Sequence, residues 1–129
     1  MDAFKTHGAF SWSELMTTDP KAAAAFYGQL FGWQSEDMSM GTGTYQVQKL
    51  GDAAIGGIMS MPPGAPAGMP PAWGCYVTVS NVDETVAQAE KLGGKLVMPV
   101  MQVPGVGRMA VIADPQGAVL SVITYDTPG

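Results

Sequence analysis

The chain is poor in the residues that build disulfides and transition-metal sites. Its 129 residues include one cysteine, Cys75, and one histidine, His7. A lone cysteine forms no internal disulfide and supplies a single thiolate to a metal. His7 precedes the first predicted strand, where a single histidine is most often a surface residue. These scarcities exclude a disulfide framework and a thiolate metal cluster.

Positive charge and long apolar runs are also scarce. Six Lys and Arg against eleven Asp and Glu give a net charge of −5, which repels phosphate backbones, so we expect no nucleic-acid partner. No apolar run approaches the roughly 18 residues that span a membrane. Residues 1–10 lack the apolar segment of a signal peptide. We therefore expect a cytoplasmic protein without a membrane partner.

Apolar residues, glycine and proline are abundant. A hydrophobic content of 47% with 13% charged residues excludes disorder. A chain of 129 residues suffices for one domain that buries roughly two-thirds of its unfolded surface. Five of the ten prolines fall within residues 62–71, and this density predicts a linker because proline does not continue a sheet.

The segments on either side of the predicted linker resemble each other at a shift of 61 residues. The identities are few, but they include glycines expected to end a helix or form a turn. The matched pairs are Trp12 with Trp73, Thr17 with Thr78, Gly32 with Gly93, Met40 with Met101, Gly56 with Gly117 and Ser60 with Ser121. This spacing predicts two copies of one structural unit.

Local patterns predict the same order of elements in both copies: a strand, a helix and three strands. In the first copy, strand 10–17 precedes a helix that begins at Asp19-Pro20 and ends at Gly32, and strands follow near 34–38, 44–50 and 53–61. In the second copy, strand 74–79 precedes a helix capped by Asn81 and ended by Gly93-Gly94, and strands follow near 95–100, 108–113 and 118–125. The predicted apolar stripes are Ala22, Phe26, Leu30 and Trp33 on the first helix, and Val82, Val86, Ala89 and Leu92 on the second.

We therefore predict an α+β fold of two βαβββ modules related by a pseudo-two-fold repeat. The modules comprise residues 8–61 and 72–126, joined by the linker 62–71 within a single domain. Their strands are expected to form a curved mixed sheet around a central cleft. Concave, largely apolar clefts are the usual sites for small molecules.

Three segments in this order resemble a known family. They are residues 15–33 with Phe26-Tyr27 and Gly32, residues 82–94, and residues 113–121 with Asp114-Pro115-Gln116-Gly117. Together they cover much of the chain and resemble the vicinal oxygen chelate superfamily, which includes glyoxalase I, extradiol dioxygenases and bleomycin-resistance proteins. The resemblance implies the same paired-module fold.

The resemblance also implies where a metal would be bound. The ligand positions of the family's metal enzymes match Trp12, then Trp73 or Gly74, then Ser121 and, through the repeat, Ser60. An indole, a glycine and two hydroxyls are poor ligands for a divalent metal. We therefore expect no metal or other cofactor.

Strand alternation places Glu14 on the same face as Trp12. A carboxylate beside an indole suits general acid or base catalysis, and Trp12 and Trp73 suit stacking on a planar ligand. Each residue has a purely structural alternative, in the core or in a solvated strand. Further candidate ligand contacts are Ser60, Ser121, Tyr45, Tyr76 and Arg108.

One glycine-rich motif is typical of a dinucleotide-binding site, but the residues around it are not. Residues 105–110 match the G-x-G-x-x-A dinucleotide pattern, but the following residues predict a strand where that site needs a helix. We expect no dinucleotide there.

Three functions remain open on the sequence. The first is metal-independent binding of a small molecule in the cleft, as in bleomycin-resistance proteins. The second is a metal-independent lyase or isomerase with Glu14 as general base. The third is an interaction module that forms a homodimer, to which edge strands are suited.

Overall fold

The computed structural model describes residues 1–39, 44–61, 68, 70–103 and 106–126, and its elements follow the predicted order. The first copy contains β1 (Phe10–Thr17), α1 (Pro20–Phe31), β2 (Gln34–Ser39), β3 (Thr44–Leu50) and β4 (Ala53–Ser60). The second contains β5 (Ala72–Thr78), α2 (Val82–Lys91), β6 (Lys95–Val103), β7 (Gly107–Ala113) and β8 (Val119–Tyr125). Most of the predicted linker, residues 62–67 and 69, lies outside the described residues, as do Met40 of the repeat and Gly105 of the glycine motif.

Contacts between residues divide the chain into two compact units. The first unit is Trp12–Gly74, and the second is Met1–Ser11 together with Cys75–Gly129. Each unit has its own helix and its own set of paired strands.

The first unit has its strands in the order β2-β3-β4-β1. β1 runs parallel to β4, while β4 pairs antiparallel with β3 and β3 with β2. Gly57 of β4 is opposite Glu14 on one side and Val47 on the other. Gly57 therefore lies between Glu14 of β1 and Val47 of β3.

Both helices have the predicted caps. The Asp19 side chain accepts a hydrogen bond from the Ala22 backbone at 3.1 Å, and Asn81 accepts one from Glu84 at 3.0 Å. α1 ends at Gly32, whose φ of 80° lies in the left-handed region that favours glycine. At 12 and 10 residues, neither of these helices has the length and apolarity needed to cross a membrane.

The predicted apolar stripe of α1 is wrong. Phe26 is 60% exposed and Leu30 is 58% exposed, and α1 buries no residue completely. The half-buried residues of α1 are Pro20, Ala23, Ala24, Tyr27 and Gly28. Because Ala22 to Phe26 is apolar on every side of the helix, the pattern contained no signal for the face that packs.

The second unit contains the better-packed hydrophobic core. Its strands follow the order β5-β8-β7-β6, with β5 parallel to β8 and the other pairs antiparallel. α2 contributes Val82 and Val86, which pack with Val79, Ala110 and Val122. Burying one such valine contributes about 1.5–3 kcal/mol. The predicted stripe of α2 is thus confirmed for its first two residues, whereas Leu92 is 70% exposed.

Candidate functional site

Three side chains of the first unit form a continuous series of hydrogen bonds. The Trp12 indole Nε1 donates to the Tyr45 hydroxyl at 2.8 Å. The same hydroxyl donates to Oε2 of Glu14, also at 2.8 Å. Glu14 is 5% exposed, so this carboxyl is held in a buried environment. The structure thus joins three residues predicted for the site.

The absence of a side chain at Gly57 permits this arrangement. Tyr45 lies on β3 and Glu14 on β1, with β4 between them. A Cβ at Gly57 would overlap the Tyr45 hydroxyl, so the phenol occupies the space that any other residue would fill. Sequence reasoning missed Gly57. The available signal was the Gly56-Gly57 pair inside a predicted strand, because glycine within a strand is typical of a place where another part of the chain comes close to the backbone.

The hydrogen-bond series fixes both the orientation and the chemistry of these groups. The Tyr45 hydroxyl holds one carboxyl oxygen of Glu14 in place, and the Trp12 indole holds the Tyr45 hydroxyl. The carboxylate can accept a proton, while the indole and phenol supply flat apolar surfaces. We call this side of the sheet the Glu14 face; it comprises Trp12, Glu14, Tyr45, Val47, Gly57 and Met59.

The opposite side of the same sheet faces α1. Residues Ser13, Gln48 and Gly56 alternate along their strands with members of the Glu14 face, and they line a cavity with Tyr27 and Phe31 of α1. Successive strand residues point to opposite sides of a sheet. The Glu14 face is therefore the side away from α1.

Ser60 is not brought to the Glu14 face. It pairs with Thr17 at the end of β4, one position after Met59. Strand alternation places it on the α1 side of the sheet. The structure separates it from the Trp12, Tyr45 and Glu14 series.

Trp73 is likewise separated from Trp12. Its Nε1 donates to the Tyr27 hydroxyl of α1 at 3.1 Å, and its ring meets Trp33 edge to face with centroids 6.0 Å apart. Trp73 thus lines the cavity beneath α1. The 61-residue shift that matches the two tryptophans does not give them the same surroundings.

Tyr76 and Ser121 lie together in the second unit. They are opposite each other in the parallel pair of β5 and β8, and both are buried. The Tyr76 hydroxyl donates to the Met109 sulfur at 3.7 Å. Their neighbours Val77 and Val122 pack on the α2 side, so Tyr76 and Ser121 occupy the side away from α2.

The parallel strand pairs of the two copies have different chemistry. Glu14 is opposite Gly57 in the first copy, whereas Tyr76 is opposite Ser121 in the second. Trp73 and Gly74, the two alternatives left by the sequence, both lie near the start of β5.

Arg108 lies in the second unit and forms an ion pair. Its Nε and one terminal guanidinium nitrogen donate to the two carboxylate oxygens of Asp83 at 2.9 and 3.0 Å. These hydrogen bonds lower the pKa of Asp83 below its usual value of 3.8, and Asp83 in turn raises the pKa of Arg108. Both side chains are exposed, so the pair contributes little to stability. This pairing gives Arg108 a structural role.

His7 is also held in the second unit. Its Nδ1 accepts a hydrogen bond from the Ser80 backbone at 2.9 Å, so the neutral ring carries its proton on Nε2. Nearby, Gly8 donates to the Thr78 carbonyl and Thr78 donates to the Ala9 carbonyl. His7 therefore helps to fix the N-terminal residues along β5.

The residues at the family's ligand positions do not fit a metal. An indole N–H such as that of Trp12 or Trp73 has no lone pair for a cation, Gly74 offers no side-chain donor, and the hydroxyls of Ser60 and Ser121 are poor ligands for a divalent metal. Across the described part of the chain, no group of three or more His, Cys, Asp and Glu residues could hold a metal ion.

Comparisons with known proteins place this fold in a family. Residues 9–122 match the model of the Glyoxalase/Bleomycin resistance protein/Dioxygenase superfamily. The chain belongs to this superfamily, as the three sequence segments predicted.

Two relatives show how far the similarity extends. "Putative glyoxylase CFP32" of Mycobacterium tuberculosis is 42% identical over 117 residues, covering 89% of this chain and 45% of the relative. "Anthracycline biosynthesis protein DauV" of Streptomyces sp. is 37% identical over 127 residues, covering 89% of this chain and 46% of the relative. The chain thus spans less than half the length of the relatives it matches.

Solved structures share the fold at low identity. Methylmalonyl-CoA epimerase from Mycobacterium tuberculosis superposes with a TM-score of 0.65 and 15% identity, covering 93% of this chain and 89% of that structure. Hypothetical protein BH1468 from Bacillus halodurans gives a TM-score of 0.68 at 10% identity, covering 96% of this chain and 99% of that structure. These similarities establish the α+β fold of the superfamily.

Replacing Gly57 by alanine is expected to break the Trp12 to Glu14 series. The new Cβ would displace the Tyr45 hydroxyl, and overpacking of this kind lowers the free energy of unfolding by about 1–3 kcal/mol. The Trp12 indole N–H resonance in the NMR spectrum should move to the position it has in Tyr45→Phe. Gly74→Ala is the matched control, because a Cβ there meets nothing within 4 Å. An unchanged indole resonance in Gly57→Ala would contradict the geometry.

Replacing Arg108 by glutamine is expected to raise the pKa of Asp83 toward 3.8, because the guanidinium hydrogen bonds are lost. A lowered carboxyl pKa stabilises the fold above the unfolded-state pKa, and this contribution disappears as pH falls through the folded-state pKa. Carbon-detected NMR titration of Asp83 measures the change. Lys91→Gln is the control: it also removes one positive charge, here from α2, and should leave the pKa of Asp83 unchanged. Equal pKa values of Asp83 in the two variants would show that the ion pair is absent in solution.

Proposed function

We propose that this member of the superfamily binds a small planar organic ligand on the Glu14 face without a metal ion. The observation that carries the proposal is the hydrogen-bond series from Trp12 through Tyr45 to Glu14. It holds two aromatic rings and a carboxylate in fixed positions before any ligand arrives. Such preorganisation reduces the ordering cost of binding.

The chemistry of the face favours a neutral or cationic ligand. Glu14 and the net charge of −5 disfavour an anion. Trp12 and Tyr45 suit stacking or edge contacts with a ring, and Met59 adds an adaptable apolar side chain. The predicted cleft between the two modules and the predicted homodimer stay predictions beside this proposal.

The relatives' names support a small-molecule role. One relative is named for anthracycline biosynthesis, and anthracyclines contain a planar fused-ring system. Another is named as a glyoxylase. Neither name fixes the substrate of this chain, which spans less than half of each relative.

Quinizarin, a neutral planar anthraquinone, is a suitable test ligand. Binding on the Glu14 face should quench tryptophan fluorescence, and Trp12→Ala should weaken affinity about tenfold because a stacking surface is lost. Phe26→Ala is the matched control, since Phe26 is 60% exposed and lies on α1, on the other side of the sheet from the Glu14 face. Equal affinity in both variants would remove the support for this face.

The same protein preparation tests metal independence. Elemental analysis should find no stoichiometric nickel, zinc, iron or manganese, and quinizarin quenching should be unchanged after treatment with a chelator. A stoichiometric metal that the chelator removes together with ligand binding would overturn this part of the proposal.

A second function, a lyase or isomerase, is favoured by the burial of Glu14. Its carboxylate is held by Tyr45 and could take a proton from a carbon next to a carbonyl group and return it at another position. This step needs no electron transfer, and the proton is conserved. In this alternative, Glu14 is the general base.

Glu14→Gln distinguishes the two functions, because it keeps the shape of the side chain and removes the base. If the protein is an enzyme, it should catalyse exchange of α-hydrogens for deuterium in a panel of ketones and thioesters, which NMR in deuterated water measures. The rate of this exchange should fall at least about 100-fold in Glu14→Gln. Quinizarin affinity should change little. Glu36→Gln is the matched control, because Glu36 is an exposed strand residue paired with Lys49. Undiminished exchange in Glu14→Gln would exclude Glu14 as the base.

A further inference from the structure

The first unit contains a cavity of about 450 Å³ on the α1 side of its sheet. Four aromatic side chains line it: Tyr27, Phe31, Trp33 and Trp73. The part formed by the strands is lined by Ser13, Gln48, Ile55 and Gly56. Because strand neighbours alternate, this cavity and the Glu14 face are on opposite sides of the same strands. The cavity is thus a different site from the one proposed above.

Small residues on the strands create this space. A Cβ at Gly56 would lie 2.8 Å from the Ser13 carbonyl oxygen, so this position does not admit a larger side chain without a backbone shift. The Ser13 side chain is short and exposed. α1 meanwhile buries no residue completely, so its side chains leave the volume open.

The aromatic walls support one another. Tyr27 stacks on Trp33 with centroids 5.6 Å apart and meets Trp73 edge to face at 5.3 Å. The Trp73 indole donates a hydrogen bond to the Tyr27 hydroxyl. These contacts come from α1, from the segment after it and from the start of β5. Walls held from three parts of the chain are preorganised for a ligand.

The polar groups of the cavity are few and uncharged. Gln48 is fully buried, and its amide exchanges hydrogen bonds with Ser35 at 2.9 and 3.1 Å, so it is satisfied within the protein. The Ser13 hydroxyl can donate or accept, and the Tyr27 hydroxyl retains its proton while it accepts from Trp73. The lining residues include no Asp, Glu, Lys, Arg or His.

We propose that this cavity is a second binding site, for an uncharged aromatic molecule of two or three rings. A volume of 450 Å³ lies within the range of about 300–1,000 Å³ typical of small-molecule sites. Aromatic walls contribute apolar area and edge or stacking contacts, while Ser13 and Tyr27 orient one or two polar groups of the ligand. The site makes no use of Glu14, so it stands independently of the proposed function.

N-phenyl-1-naphthylamine is the probe for this site, because it is uncharged, has three rings and becomes fluorescent in apolar surroundings. The expected result is one bound molecule per chain, with energy transfer from tryptophan. Trp73→Ala removes a wall and Ser13→Phe fills the cavity, so each should weaken affinity at least about tenfold. In nitrogen–proton NMR spectra, the backbone amides of Gln48 and Gly56 should shift on binding.

Controls separate this site from the Glu14 face and from the general surface. Trp12→Ala and Phe10→Ala should leave affinity for the probe unchanged within about twofold, because neither residue lines the cavity. Circular dichroism verifies that each variant is folded. Loss of probe binding in Trp12→Ala would assign the probe to the Glu14 face and overturn the proposal.

The proposal would also be overturned if another copy of the chain covered these rings. Light scattering after size-exclusion chromatography tests this alternative. A dimer that Trp73→Ala dissociates, together with no probe binding by the unaltered chain, would identify the aromatic cavity as a protein interface. A folded chain that retains its probe affinity in both Trp73→Ala and Ser13→Phe would equally exclude the cavity.

Discussion

The missing Cβ of Gly57 is the constraint on which the candidate site depends. β4 separates β3 from β1, and any side chain at Gly57 would occupy the position of the Tyr45 hydroxyl. With glycine there, one phenol crosses the strand, accepts from Trp12 and donates to Glu14. A buried carboxyl needs such a partner, because an unpaired buried charge is costly. The glycine thus makes the carboxyl compatible with its environment.

Strand alternation gives the first unit two chemically different surfaces. One side presents the hydrogen-bonded carboxyl of Glu14, and the other, beneath α1, presents uncharged aromatic walls around a cavity. The same four strands support both. The superfamily contains proteins of several functions on one fold, so membership alone does not decide what either surface binds.

Much of the fold was predictable because its signals are local. The bounds of β1 and β3, the Asp19 and Asn81 caps and the Gly32 stop depend on neighbouring residues, and the structure confirms them. The buried face of α1 was not predictable, because its first half is apolar on all sides. The repeat was informative about the order of elements but not about surroundings, since Trp12 donates to Tyr45 whereas Trp73 donates to Tyr27 of α1.

The sequence by itself determined the family, the order of elements, the acidic charge and the placement of Trp12 and Glu14 on one face of a strand. Each of these follows from composition, motifs or the two-residue period of a strand. Only the tertiary structure decided that Tyr45 joins them, that Trp73 and Ser60 do not, and that Arg108 is paired with Asp83. The physical reason is that pairing between distant strands and the packing of a helix bring together residues whose separation along the chain carries no such information.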